Sequence, residues 1–80
     1  MKISVLAFGI AKEIIGQLEV TLQLPDDATV ADLKTHLINH YPDFRKLASL
    51  RVAVNTEYAD DTQPLQTNDE IVLIPPVSGG

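Results

Sequence analysis

Cysteine is missing from this chain of 80 residues. Without cysteine there is no disulfide framework, no thiol nucleophile and no thiolate ligand for a metal, so any sulfur that the protein handles must come from another molecule. The absence fits a reducing compartment, and we expect a cytoplasmic protein. No apolar run is long enough to span a bilayer, and we interpret the start "MKISVLAFGIAKE" as a first strand rather than a signal peptide.

Basic residues are scarce as well: 6 lysines and arginines face 11 aspartates and glutamates, which gives a net charge of −5. Phosphate binding needs a basic surface, so this balance argues against a partner that is a nucleic acid. An acidic surface suits protein partners with basic patches.

Motifs of catalysis and cofactor binding are also lacking. The sequence has no phosphate-binding loop, no dinucleotide fingerprint and no serine in a nucleophile elbow. Asp32, His36 and His40 follow one another at intervals of four residues, but no fourth metal ligand is evident, so we interpret them as the solvated flank of a helix. We therefore expect no bound metal or cofactor, and no enzyme activity of the chain on its own.

Alternation of apolar and polar residues predicts strands in four segments. These are residues 2–8, 18–24, 51–55 and 70–75, and a short edge strand is expected around Tyr58. The clearest is "LEVTLQL" (18–24), where the apolar residues, Leu18 among them, are predicted to face the core.

One main helix is predicted within "PDDATVADLKTHLINHYP". Thr29 is a good N-cap, Asp32 completes a variant of the capping box, and Pro42 ends the helix. Apolar residues form a stripe at helical spacing: Val30, Leu33, Leu37 and Tyr41. A short helical turn, "IAKEIIG", is predicted to close at Gly16.

This order of elements predicts an α+β protein, since one helix can cover one face of one mixed sheet. The first and last strands are the most continuously apolar, which places them side by side and parallel at the centre. The result is a β-grasp, or ubiquitin-like, fold with four to five strands and one main helix on one face. We expect it over residues 1–74, followed by an extended tail at residues 75–80.

The sheet face away from the main helix is predicted to carry apolar residues. In the last strand Val72 and Ile74 share a face with Glu70, and in the first strand Phe8 shares a face with Lys2. The charged residue marks each face as open to solvent. Because apolar residues grouped on one open face indicate an interaction site, we expect Phe8, Val72 and Ile74 to bind a partner.

The sequence ends in "PPVSGG". Pro75 and Pro76 favour an extended exit from the last strand, and residues 77–80 could reach roughly 13 Å beyond it. Gly79 and Gly80 lack side chains and can enter a narrow slot. The chain begins at Met and shows no tag, so we expect Gly80 to be its true end. Its carboxylate, once activated as a mixed anhydride with AMP, would be open to attack by sulfur or an amine.

Four motifs carry a family resemblance: "VLAFGIAKEIIG" near the start, "TVADLKTHL" at the helix, "VAVN" in the third strand and "NDEIVLIPPVSGG" at the end. In these motifs and in its length the chain resembles the MoaD/ThiS family of ubiquitin-like sulfur carriers. The double proline is typical of the molybdopterin branch, whereas relatives of the thiamine pathway are usually shorter and lack it.

The resemblance implies a sulfur-carrier small subunit of molybdopterin synthase. An E1-like enzyme using ATP and Mg would adenylate Gly80, and a sulfur-donor protein would then supply sulfur to give a thiocarboxylate. The carrier would dock on the large synthase subunit in a heterotetramer. In that subunit's catalytic pocket it would donate sulfur to cyclic pyranopterin monophosphate, building the dithiolene of molybdopterin for the molybdenum cofactor.

The resemblance also implies roles for individual residues. Phe8, Tyr58 and Ile74 match apolar partner contacts of the family, and Lys12 lies where relatives often carry a basic residue. The tail that would thread into the partner comprises Pro75, Pro76, Val77, Ser78, Gly79 and Gly80.

Three other functions stay open at this point. The chain could be a protein modifier whose Gly80 forms isopeptide bonds with lysines, a sulfur carrier for thiamine or tRNA thiolation, or an interaction domain with a chemically idle terminus. The double proline favours the molybdopterin pathway over the thiamine and tRNA pathways. Nothing in the sequence excludes the modifier, because it would use the same adenylate.

Overall fold

The computed structural model describes residues 1–47 and 50–74. Its elements follow in the order β1 (Lys2–Ala7), α1 (Gly9–Ile15), β2 (Glu19–Gln23), α2 (Val30–His40), a 3₁₀ helix (Pro42–Lys46), β3 (Arg51–Val54), β4 (Glu57–Ala59) and β5 (Ile71–Ile74). The predicted strands and main helix are confirmed, with ends that differ by about a residue. The predicted tail, residues 75–80, lies outside the described residues.

The five strands form one mixed sheet in the order β2-β1-β5-β3-β4. The central strands β1 and β5 are parallel, with Val5 opposite Ile71 and Ala7 opposite Leu73. The other pairs of neighbours are antiparallel. This is the β-grasp arrangement that the sequence predicts, including the parallel pair at its centre. Strands rich in apolar residues take the central positions because both of their edges are covered by neighbouring strands.

The core lies between the sheet and α2. Ile3, Val5 and Leu73 of the central strands are fully buried, and so are Leu33 and Leu37 of the helix. They belong to one continuous apolar cluster. Because apolar burial is the main favourable term in folding, the stripe on α2 and the alternation in β1 and β5 together fix which face of the sheet the helix covers.

The N-terminus of α2 is closed by its own cap and by a loop. The Thr29 hydroxyl oxygen accepts a hydrogen bond from the Asp32 N–H at 3.4 Å, and the Thr29 N–H donates to the Asp32 carboxylate at 2.9 Å. The carbonyls of Gln63 and Asp61 accept from the N–H groups of Val30 and Ala31 at 3.0 Å. The predicted capping box is thus present, and the loop after β4 binds two further free donors of the helix.

Between β1 and β2 the chain forms α1, a helix of 7 residues. Gly16 ends it with φ +88°, and its N–H donates to the Lys12 carbonyl at 2.7 Å. A left-handed residue after a helix is most easily a glycine, so the predicted closure at Gly16 is confirmed.

Leu18 was predicted to be buried, and that prediction is wrong. Its side chain is 47% exposed, and β2 begins one residue later, at Glu19. The Leu18 carbonyl still accepts from the Ala7 N–H at 2.8 Å, so the backbone is tied to the end of β1. The strand alternation holds, but at this end of the sheet the core no longer covers the side chain.

A tight turn joins β3 to β4. Its two residues, Asn55 and Thr56, have φ values of 53° and 72°, as in the type I′ turns that favour two-residue hairpins. The Asn55 side chain donates to the Asp69 carboxylate and accepts from the Glu70 N–H, both at 2.9 Å. The hairpin is therefore fastened to the start of β5.

In the part of the chain that the structure describes, no helix combines the length and the apolar character needed to cross a membrane.

Candidate functional site: the open face of the sheet at the chain exit

A row of residues in register crosses the open face of the sheet. Leu6 of β1 lies opposite Val72 of β5, Val72 opposite Ala53 of β3, and Ala53 opposite Tyr58 of β4. Directly opposed residues in neighbouring strands project to the same side. None of the four belongs to the apolar cluster beneath α2, which places the row on the other face.

The next residues along β1 and β5 extend this row toward the end of the sheet. Phe8 follows β1 with an extended backbone (φ −124°, ψ 163°), and Ile74 is the last residue of β5. Phe8 is 48% exposed, while Ile74 and Val72 are half-buried. We call Phe8, Tyr58, Val72 and Ile74 the exit patch, because residue 75 follows directly from it.

Tyr58 is the most exposed large apolar side chain of the patch, at 65%. The guanidinium carbon of Arg51 lies 5.1 Å from the centroid of its ring, within cation–π range. Arg51 itself lies opposite Ile74 in the β3–β5 register. The exposed aromatic surface of the exit patch therefore lies beside the positive charge of Arg51.

The opposite end of the open face is polar. There Lys2 lies opposite Gln23 and Ser4 opposite Thr21, and the Asn55 N–H donates to the Glu70 carbonyl at 2.8 Å. Nearer the exit, Glu19 lies opposite Leu6, and its carboxylate accepts from the Ser4 hydroxyl at 2.9 Å. Apolar surface is thus concentrated at the end from which the chain leaves.

The structure places the predicted partner-binding residues at one end of the molecule. Phe8, Tyr58, Val72 and Ile74 share the open face. Lys12 is exposed on α1, one turn beyond Phe8, whose carbonyl accepts from the Lys12 N–H at 3.4 Å. Val72 and Ile74 are less exposed than the sequence indicates. Their binding role stays a prediction, and the predicted reactive end, Gly80, lies outside the described residues with the rest of the tail.

Two residues of this surface, Arg51 and Ala53, were not singled out from the sequence. The signal was present in the alternation of "RVAVN", which puts both on one side of β3. Using it requires knowing that β3 lies directly beside β5, which local patterns do not reveal.

The two histidines lie on α2, away from the exit patch. The rings of His36 and His40 stack with centroids 4.1 Å apart. Burial, and next the repulsion from His40, lower the pKa of His36. Asp32 is engaged by Thr29 in the helix cap, and residues 1–47 and 50–74 contain no group of three potential metal ligands.

Comparison with known proteins decides the family. A family model described as the ThiS family matches residues 5–80, almost the whole chain. The chain belongs to the ThiS family.

Curated relatives match over all or nearly all of this chain. The molybdopterin synthase sulfur carrier subunit of Arabidopsis thaliana is 36% identical, covering 100% of this chain and 84% of the relative. The protein of the same name from Dictyostelium discoideum is 39% identical, covering 95% of this chain and 93% of the relative.

Solved structures have the same fold. The putative molybdopterin converting factor, subunit 1, from Pyrococcus furiosus superposes with a TM-score of 0.87 at 26% identity, covering 96% of this chain and 99% of that one. SAMP1, a small archaeal modifier protein from Haloferax volcanii, superposes with a TM-score of 0.85 at 27% identity, with full coverage of both chains. A chain in the protein–protein complex of subunits 1 and 2 of the molybdopterin-converting factor from Helicobacter pylori superposes with a TM-score of 0.68 at 27% identity, again with full coverage of both chains.

Proposed function

We propose that this member of the ThiS family is the sulfur carrier small subunit of molybdopterin synthase and acts in the cytoplasm. The observation that carries the proposal is the match to curated sulfur carrier subunits over the whole chain, through its final glycine. The exit patch supports it, because a carrier needs a docking surface beside its reactive end.

The proposed chemistry takes place on the carboxylate of Gly80. A carboxylate oxygen attacks the α-phosphorus of ATP on an activating enzyme, pyrophosphate leaves, and an acyl adenylate forms. A sulfur nucleophile from a donor protein then attacks the glycyl carbonyl, and AMP leaves with its bonding electron pair. When the donor carries a persulfide, this attack gives an acyl disulfide. A second thiol then attacks the donor's own sulfur and forms a disulfide with it, and the thiocarboxylate of Gly80 leaves with the bonding electron pair. ATP and Mg belong to the activating enzyme.

In this proposal the folded domain binds the partner, and the tail extends from it into the partner's active site. The exit patch docks on the partner, and the six residues after Ile74 can extend at most about 22 Å, at roughly 3.3–3.6 Å per residue. Glycines at the end admit the terminus to a pocket that any Cβ would block. The pocket that binds cyclic pyranopterin monophosphate would belong to the large subunit.

The proposed partner is the large subunit of molybdopterin synthase, in a heterotetramer. The Helicobacter pylori structure, which contains subunits 1 and 2 of its molybdopterin-converting factor in one complex, supports such a pairing. Lys12, at the same end of the molecule as the exit patch, would add a polar contact.

Deletion of Gly80 tests the proposal. Purified large subunit, activating enzyme, ATP and a sulfide source are combined with either the full chain or the chain ending at Gly79. We expect conversion of cyclic pyranopterin monophosphate with the full chain only. The melting temperature should be the same for both, because the deletion touches no residue of the core. Sulfur transfer by the shortened chain would contradict the mechanism.

A protein modifier is the second candidate. It is favoured by the likeness to SAMP1 over the full length of both chains. A modifier would appear in cell extracts as isopeptide adducts of its terminal glycine with lysines of other proteins, whereas a carrier would be recovered as free chain.

A further inference from the structure

Arg51 is a charged residue of the exit patch region to which the proposed function gives no role. It is the first residue of β3, exposed to solvent, and lies opposite Ile74, the last residue before the tail. Its guanidinium rests over the ring of Tyr58. A positive charge in this position is notable in a chain whose net charge is −5.

The nearby carboxylates are already engaged by other partners. Asp61 pairs with the ammonium of Lys34 at 2.7 Å. Asp60 accepts from the hydroxyl and the N–H of Thr62, at 2.6 and 2.9 Å, and these hydrogen bonds lower the pKa of its carboxyl. Within residues 1–47 and 50–74, Arg51 has no carboxylate within ion-pair distance.

The cation–π contact with Tyr58 leaves the N–H donors of Arg51 available for hydrogen bonds. A guanidinium donates in its own plane, through five N–H groups in a fixed fork, and stacks through its face. The guanidinium carbon of Arg51 lies over the Tyr58 ring, 5.1 Å from its centroid, and a guanidinium that contacts a ring through its face keeps its N–H fork available to an acceptor. This geometry suits a carboxylate bound through two parallel hydrogen bonds.

Space for a partner side chain lies directly beside this fork. An open cleft of about 510 Å³ runs along the β4 edge, lined by Arg51, Tyr58, Lys34 and Thr62 together with Asp60 and Asp61, whose carboxylates are engaged by Thr62 and Lys34. The cleft adjoins the exit patch through Arg51 and Tyr58. A partner that covers the patch can therefore insert a side chain into the cleft without displacing the core.

We propose that Arg51, oriented by Tyr58, binds a carboxylate of the large synthase subunit when the exit patch docks, and so sets the orientation of the complex. The inference rests on the proposed function, since it names a contact with that partner. The apolar patch supplies the buried area, while the positive charge of Arg51 favours a partner whose acidic side chain faces it and disfavours one with a basic group there.

The test measures the dissociation constant of the full-length chain and the purified large subunit at low and high salt. The variants are Arg51→Glu and Arg51→Gln. Arg45→Glu is the matched control, because Arg45 is the other arginine of the chain, is also exposed, and lies on the 3₁₀ helix outside the exit patch. Melting curves of the four proteins establish that each variant is folded.

At low salt we expect Arg51→Glu to raise the dissociation constant about tenfold or more, and Arg51→Gln by a smaller factor, since a repelling charge is worse than a missing one. High salt should reduce the difference in dissociation constant between the Arg51 variants and the unchanged chain, because screening weakens charge pairs at the rim of an interface. Arg45→Glu should stay within about twofold of the unchanged chain.

Two results would overturn the inference, and they are distinct. If the unchanged chain binds the large subunit and Arg51→Glu binds as Arg45→Glu does, the carboxylate contact is absent while the proposed function stands. If the unchanged chain does not bind the large subunit at all, the proposed pairing fails, and the contact fails with it.

Discussion

At the scale of single residues, Phe8 and Leu18 form an informative pair. Their side chains are 48% and 47% exposed. Strand alternation puts Phe8 on the open face with Leu6, whereas Leu18 has the parity of Val20, which packs toward the core. Two large apolar residues with the same exposure thus lie on different sides of the sheet, and only Phe8 belongs to the exit patch.

Phe8→Asp should weaken docking on the large subunit about 30-fold or more, as expected for a central apolar residue replaced by an unpaired buried charge. Leu18→Asp is the control and should bind as the unchanged chain does. Binding measured by calorimetry decides between them. Equal losses for the two variants would mean that the exit patch is not the docking surface.

His36 should make stability depend on pH. Burial and the neighbouring His40 lower its pKa in the folded chain, so the unfolded chain binds more protons between that lowered pKa and the ordinary value near 6.5. The contribution is fully present above the ordinary pKa and decreases as the pH falls through it toward the folded pKa. Urea unfolding at pH 7.5 and pH 5.5 should therefore show lower stability at the lower pH.

His36→Gln should reduce the decrease in the free energy of unfolding between pH 7.5 and pH 5.5. His40→Gln should reduce it less, because burial, the larger cause of the shift, remains at His36. An unchanged pH dependence in His36→Gln would show that other groups are responsible.

At the scale of elements, the capping box of α2 contributes measurably to the stability of the fold. Thr29→Ala removes the side-chain acceptor of the Asp32 N–H and should lower the free energy of unfolding by about 1 kcal/mol. Thr35→Ala, an exposed threonine within the same helix, is the control and should be neutral or slightly stabilising, since alanine is the better helix former. Equal effects of the two substitutions would show that the cap contributes nothing.

The β3–β4 turn contains a residue that fits it poorly. Thr56 is β-branched and has φ 72°, a left-handed conformation that costs an L-residue roughly 1–2 kcal/mol. Thr56→Gly should stabilise the protein by about 0.5–1 kcal/mol after the greater freedom of glycine in the unfolded chain is subtracted. The melting temperature should rise by a few degrees. Thr35→Gly, within α2, should lower it; a decrease in both variants would contradict the argument from φ.

These elements show which parts of the fold are determined by short stretches of sequence. The cap at Thr29, the glycine that ends α1 and the alternation of β1 and β5 are signals within a few residues, and the sequence predicts all of them. The exposure of Leu18 depends on where the core ends, and the contact of Arg51 with the Tyr58 ring depends on the register between β3 and β4. Such features arise from tertiary contacts, so local patterns do not contain them.

At the scale of the whole molecule, the parallel pairing of β1 and β5 organises the proposed site. Because the two strands run in the same direction, the end of β5 lies beside the start of α1. Ile74, Phe8 and Lys12 are thereby gathered at one end of the sheet, and Arg51 reaches the same end because β3 begins opposite Ile74. The fold thus places its apolar patch, its rim charge and the start of the tail together.

The central claim is that the chain carries sulfur on Gly80. The most direct test is the intact mass of the protein isolated from its own cells, with fragmentation to locate any change. The account predicts a population heavier by the exchange of one oxygen for one sulfur, confined to the C-terminal glycine and absent from the chain that lacks Gly80. Recovery of Gly80 only as isopeptide adducts to lysines, with no sulfur on the free chain, would contradict it.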